Sequence, residues 1–135
     1  MGSCASLGNP ASKYKFKYGR PTMYGHSIYP MFNGLLYRII DKNLKQWAFY
    51  NDTRDLIIHV GILFDYDSQI VPLAATSAVR IDDPQEGHED DFGKYLCEVD
   101  IYPADTVLFI SGLPTGWSVD TLEARDSIGN THFRL

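Results

Sequence analysis

Leu56-Ile57-Ile58-His59-Val60-Gly61-Ile62-Leu63-Phe64 reads as a β-strand with two unequal faces. Leu56, Ile58, Val60, Ile62 and Phe64 share one parity, and Ile57, His59, Gly61 and Leu63 share the other. One face is wholly apolar and the other partly so, the pattern of a central strand. Upstream, Gln46 to Tyr50 is a second β-patterned run. The turn formers of Asn51-Asp52-Thr53-Arg54-Asp55 lie between the two, so the pair is expected to form a hairpin.

The same signature recurs outward in both directions. Leu35 to Ile40 is apolar except for Arg38, and further runs lie at 69–75, 77–81, 94–102, 106–110, 117–124 and 131–135. Asp, Gly and Pro punctuate them, and residues 19–34 read as a Pro/Gly-rich link. No stretch of ten residues keeps a clean helical period. The expectation is an all-β chain, an antiparallel β-sandwich or barrel of about eight to nine short strands, preceded by a flexible N-terminal tail. Residues 1–20 form that tail and 21–135 one domain, consistent with a chain of 135 residues.

The tail carries the most specific chemical signal. Met1-Gly2-Ser3-Cys4-Ala5-Ser6 fits the N-myristoylation pattern, with Gly2 as the acylated amine and Ser6 at the required offset. Cys4 offers a thiol for S-palmitoylation close to the first lipid. One myristoyl chain binds a membrane only marginally, at about 10⁴ M⁻¹, whereas a second adds about 0.8 kcal/mol per buried CH₂. Met-Gly-Ser also begins many recombinant leaders, but a leader leaves the register of Cys4 and Ser6 unexplained. Neither a signal peptide nor a transmembrane helix is expected.

Charge divides the chain. Residues 1–20 hold Lys13, Lys15, Lys17 and Arg20 and no acid; the other 8 bases and all 17 acids leave −9 on the rest. An acidic body argues against nucleic-acid binding and directs any contact with an anionic inner leaflet through the tail. In Lys13-Tyr14-Lys15-Phe16-Lys17-Tyr18, bases and aromatics alternate. Two readings stand: an interfacial segment, each base contributing about 1 kcal/mol near anionic lipid, or an edge strand whose rings cover the core.

Catalytic and metal chemistry is largely missing. Cys97 shares parity with Tyr95, Val99 and Ile101, as a small buried hydrophobe would, so a cysteine peptidase is held only as a hypothesis for thiol labelling to test. His59 reads as a hydrogen-bonded core residue, and the four histidines lack ligand spacing. No cofactor, catalytic residue or metal site is assigned. The acidic stretch 82–91 is a solvated loop, with Ca²⁺ binding the alternative on ligand type alone. Two cysteines, one of them in the tail, imply no disulfide framework, and the sequon Asn51-Asp52-Thr53 reads as a turn. Trp47 and Trp117 are core anchors on the simpler reading and otherwise candidates for a ligand groove.

Three ordered blocks carry a resemblance: Asn33-Gly34-Leu35-Leu36-Tyr37-Arg38-Ile39, then Trp47-Ala48-Phe49-Tyr50-Asn51-Asp52-Thr53, then Val99-Asp100-Ile101-Tyr102-Pro103 with Asp105-Thr106-Val107. Over roughly residues 28–125 the chain resembles the small calpain-related proteins of kinetoplastid protozoa, and Gly2 and Cys4 extend the likeness to their small myristoylated, dually acylated members. The resemblance implies a non-catalytic β domain at the cytoplasmic face of the flagellar membrane. The functional expectation is therefore an adaptor or scaffold without enzymatic activity, held by two acyl chains and facing a protein partner. A carrier of lipid or another apolar ligand is the alternative.

Overall fold

Alternation along the strands and punctuation between them produce two stacked antiparallel sheets. A computed structural model describes residues 15–23, 25–81 and 93–135. Its ten strands are β1 (Ser27–Met31), β2 (Leu36–Asp41), β3 (Gln46–Asn51), β4 (Ile57–Asp65), β5 (Gln69–Pro72), β6 (Ser77–Ile81), β7 (Lys94–Ile101), β8 (Thr106–Leu113), β9 (Trp117–Arg125) and β10 (Thr131–Arg134). The first sheet has the order β1-β2-β3-β8-β5 and the second β10-β9-β4-β7-β6. The chain is a sandwich, and a single 3₁₀ turn, Phe32–Gly34, is its helical content among the described residues.

β4 is the middle strand of its sheet, as its two-faced pattern requires. Ile58, Val60, Ile62 and Phe64 are fully buried against Leu36, Trp47, Phe49 and Phe109 of the facing sheet. Phe49 and Phe109 meet edge to face at 4.9 Å. Each such side chain contributes about 1.5–3 kcal/mol on removal from water. Cys97 is fully buried in the same core, as its parity indicates.

The expected hairpin of residues 46–64 does not exist. β3 pairs with β2 and β8, whereas β4 pairs with β7 and β9, so residues 52–56 cross from one sheet to the other. The crossing is fixed by Asn51. Its side-chain amide donates to the carbonyls of Leu56 at 2.7 Å and Ile101 at 2.8 Å, while the Thr53 hydroxyl donates to the Asn51 carbonyl oxygen at 2.7 Å. Turn-forming residues mark where a strand ends and are silent about which sheet the next one joins.

A second correction concerns the link at 19–34, which contains β1. Pro30 lowers the strand signal there, but β1 is an edge strand, where a missing N–H is tolerated. The strand count among the described residues is accordingly ten. The edge-strand reading of the basic-aromatic segment also fails for its described part, because residues 15–18 are in no strand.

Candidate functional site

The outer face of the first sheet is a small second core, made of Ile28, Tyr37, Ile39, Ala48 and Tyr50. The N-terminal segment covers it. Phe16 meets Tyr37 and Tyr50 edge to face at 5.0 and 5.4 Å, and Met23 packs beside them. The buried Asp52 carboxylate accepts the backbone N–H groups of Lys17 and Tyr18, each at 2.9 Å, and the Tyr50 hydroxyl at 3.1 Å. Burial, reinforced by the Asp52 charge, pushes the Tyr50 hydroxyl well above its ordinary pKa. Thr22 N–H donates to the Thr106 hydroxyl at 3.0 Å, and His26 N–H to the Ile40 carbonyl at 2.8 Å. At Gly25 the strap runs so close that a Cβ would lie 2.3 Å from Ile39 Cγ2.

This strap sorts the expected membrane-contact residues. Lys15, Lys17 and Arg20 are exposed, with Phe16 turned inward between the two lysines. Gly2, Cys4, Lys13 and the acidic stretch 82–91 lie outside the described residues. Beside the strap is a cleft of about 480 Å³ lined by Lys15, Lys17, Tyr18, Asp52, Arg54 and Asp55, among others. Neither tryptophan lines it.

The two tryptophans do come together, elsewhere. Trp47 is buried and Trp117 is 41% exposed; their rings meet edge to face at 5.2 Å. A third side chain, Arg38, lies against both rings. The Arg38 guanidinium carbon lies 4.6 Å from the Trp47 ring centre, 4.5 Å from Trp117 and 4.5 Å from Tyr29. Sequence reading missed this role, although its signal was present. Arg38 is a charge at the same inward parity as Leu36, inside an otherwise apolar run.

On the outer face of the second sheet, His59 lies between two carboxylates, with Nδ1 2.8 Å from Asp100 and Nε2 2.8 Å from Glu98. Arg125 adds a 3.0 Å bond to Asp100. Burial pushes the Cys97 thiol up to about 11. No group of three or more metal-ligating side chains occurs among the described residues, and no described helix is long and apolar enough to cross a membrane.

The sequence profile of the domain of unknown function DUF1935 matches residues 16–125. The match begins at Phe16, the first residue of the strap packed on the body. A Leishmania major hypothetical protein of solved structure is 53% identical, with a TM-score of 0.74 over 87% of this chain and 99% of that one. The NMR structure of SMP-1 (Small Myristoylated Protein) from Leishmania major is 34% identical, with a TM-score of 0.71 over 93% of this chain and 89% of that one. No curated protein matches.

Proposed function

The chain belongs to the DUF1935 family, and from that premise we propose that it is a non-catalytic adaptor tethered to the inner leaflet of a membrane by N-myristoylation of Gly2 and S-palmitoylation of Cys4. The observation that carries this reading is the coincidence of the Gly2-Cys4-Ser6 pattern with 34% identity to a small myristoylated protein over nearly the whole chain. Myristate brings the protein to the membrane and palmitate holds it there. The flagellar membrane of a kinetoplastid is the site we assign, and we read the calpain-related likeness as kinship of a binding domain without peptidase activity. The thiol of Cys97 supports that last point, since burial in the core keeps it protonated at neutral pH.

Even fully extended, the residues between Gly2 and Phe16 could span at most about 50 Å at 3.3–3.6 Å per residue, which bounds how far the proposed lipid could lie from the strap. The strap also presents Lys15 and Lys17 beside that segment. Adaptor function then belongs to the rest of the sandwich surface, which the tether holds within reach of membrane proteins.

Fractionation of tagged protein in its own cells tests the reading. Gly2→Ala should move the protein to the soluble fraction, and Cys4→Ser should leave weak association that washing removes. Intact mass should show a hydroxylamine-resistant myristoyl increment and a hydroxylamine-labile palmitoyl increment. A Gly2→Ala protein that stays fully membrane-bound would sink the proposal.

A further inference from the structure

Arg38 is only 8% exposed, and its Nε is shut off from solvent with no hydrogen-bond acceptor among the described residues. Buried cations are normally paired, because desolvating a charge without compensation is costly. The three surrounding rings offset part of that cost through the attraction of a cation to an aromatic face. They cannot accept the in-plane N–H bonds, of which a guanidinium has five. Burial accordingly lowers the pKa of Arg38, opposed by the nearby Tyr29.

The cluster lies at an open flank of the sandwich. Tyr29 belongs to edge strand β1, and Trp117 begins β9. β10 pairs with β9 at Glu123, Ala124 and Arg125, with one further bond from the Leu135 N–H to the Leu122 carbonyl at 2.9 Å, so among the described residues no strand pairs with that side of β9 at its Trp117 end. Farther along, Phe133 of β10 meets Phe32 edge to face at 6.2 Å and closes the flank. At the open end Tyr29 is 44% and Trp117 41% exposed, so the two outer walls of the cage reach solvent.

We propose that Arg38 is the receptor for an oxyanion, a carboxylate or phosphate borne by an amphiphile whose apolar part lies against Tyr29 and Trp117. A planar guanidinium fixed by rings is preorganised for two parallel N–H bonds to such a group. Its desolvated setting strengthens the ion pair relative to water. The site is separate from the acylated tail, so its failure would leave the tether untouched.

Trp47 and Trp117 are the two tryptophans of the chain, and both flank Arg38, so fluorescence excited selectively at tryptophan reports from this site. The experiment titrates the full chain with laurate and with lysophosphatidic acid below their micelle concentrations, with acetate and inorganic phosphate as tailless controls and dodecanol as the neutral control. We expect a saturable change with at least one amphiphilic anion, weakened at least tenfold by Arg38→Met in a variant whose melting point is unchanged or raised. An equal response to acetate or phosphate would assign the site to a free anion and overturn the amphiphile. Dodecanol matching laurate, or an Arg38→Met variant that binds as wild type, would overturn the receptor role, as would silence with every probe. Should Arg38→Met not fold, the Nε–H resonance of Arg38 in the wild-type protein decides: it should shift with the amphiphilic anion, and no shift at saturation refutes the proposal.

Discussion

His59 illustrates how far one residue's environment can be read as a pH response. Burial disfavours its charged form, but hydrogen bonds to Asp100 and Glu98, together with their charges, outweigh that and raise its pKa above the ordinary value. An imidazolium donates from both nitrogens, which suits a ring set between two carboxylates. The stabilisation is therefore complete below about pH 6.5 and is lost as pH rises through the higher folded-state value. For Asp100, burial raises the pKa while the bonds from His59 and Arg125 lower it further than that, leaving a net depression. Its contribution is present above about pH 3.9 and disappears as acid titrates it in the folded state. Melting temperatures measured from pH 5.5 to 9 should fall on the alkaline side, and His59→Gln should flatten that limb. Cys97 gives a second expectation: iodoacetamide should leave it unlabelled in the native protein at pH 7 and label it once the protein is unfolded in urea. The facing of Glu98 and Asp100 away from the core was legible from parity, whereas His59, read as a core residue, lies part-buried with them on the outer face. That they meet was not, because parity does not reveal that β4 and β7 are neighbours.

At the scale of elements, the crossing from β3 to β4 carries a larger share of stability than its turn-like composition indicates. Asn51 is fully buried and donates to carbonyls on two other segments, so Asn51→Ala leaves the Ile101 carbonyl without that donor and weakens the bond set at Leu56. Urea denaturation should register a loss of about 2–4 kcal/mol with an unchanged slope. The same burial removes Asn51 as a glycosylation acceptor in the folded chain. Gly112 poses a backbone problem of the same order. Its φ is +118°, and a Cβ would sit 2.0 Å from the Gln69 carbonyl oxygen in β5. Gly112→Ala should therefore detach β5 from β8 and raise hydrogen exchange in Gln69–Pro72 before the rest of the sheet. The strands themselves were readable because each has a buried parity, β4 above all. Their partners were not, since a sandwich brings together runs far apart in sequence, such as β3 with β8 and β4 with β9.

For the whole molecule, the proposed membrane contact depends on charge and architecture together. The first 20 residues carry four bases and no acid while the remainder carries −9, so an anionic surface attracts one end of the protein and repels the body. The Asp52 clamp and the Phe16 wedge convert that asymmetry into an orientation. They hold the exposed Lys15 and Lys17 against a rigid sheet, where both can face lipid without unfastening the strap. Each base near an anionic leaflet contributes about 1 kcal/mol, so losing two should weaken binding about 30-fold at low ionic strength. The measurement is sedimentation of myristoylated protein with vesicles containing phosphatidylserine. Lys15→Gln with Lys17→Gln should lower binding by that factor at 20 mM salt and by much less at 500 mM, where the Debye length is only a few ångströms. Phe16→Ala is the informative companion, because it keeps every charge and loosens the surface that orients them. It should leave the salt dependence intact, weaken the affinity by a smaller factor and expose the chain near residue 20 to proteolysis. Equal binding by the double glutamine variant at low salt would show that the acyl chains act without the basic strap, leaving its docking a matter of stability alone.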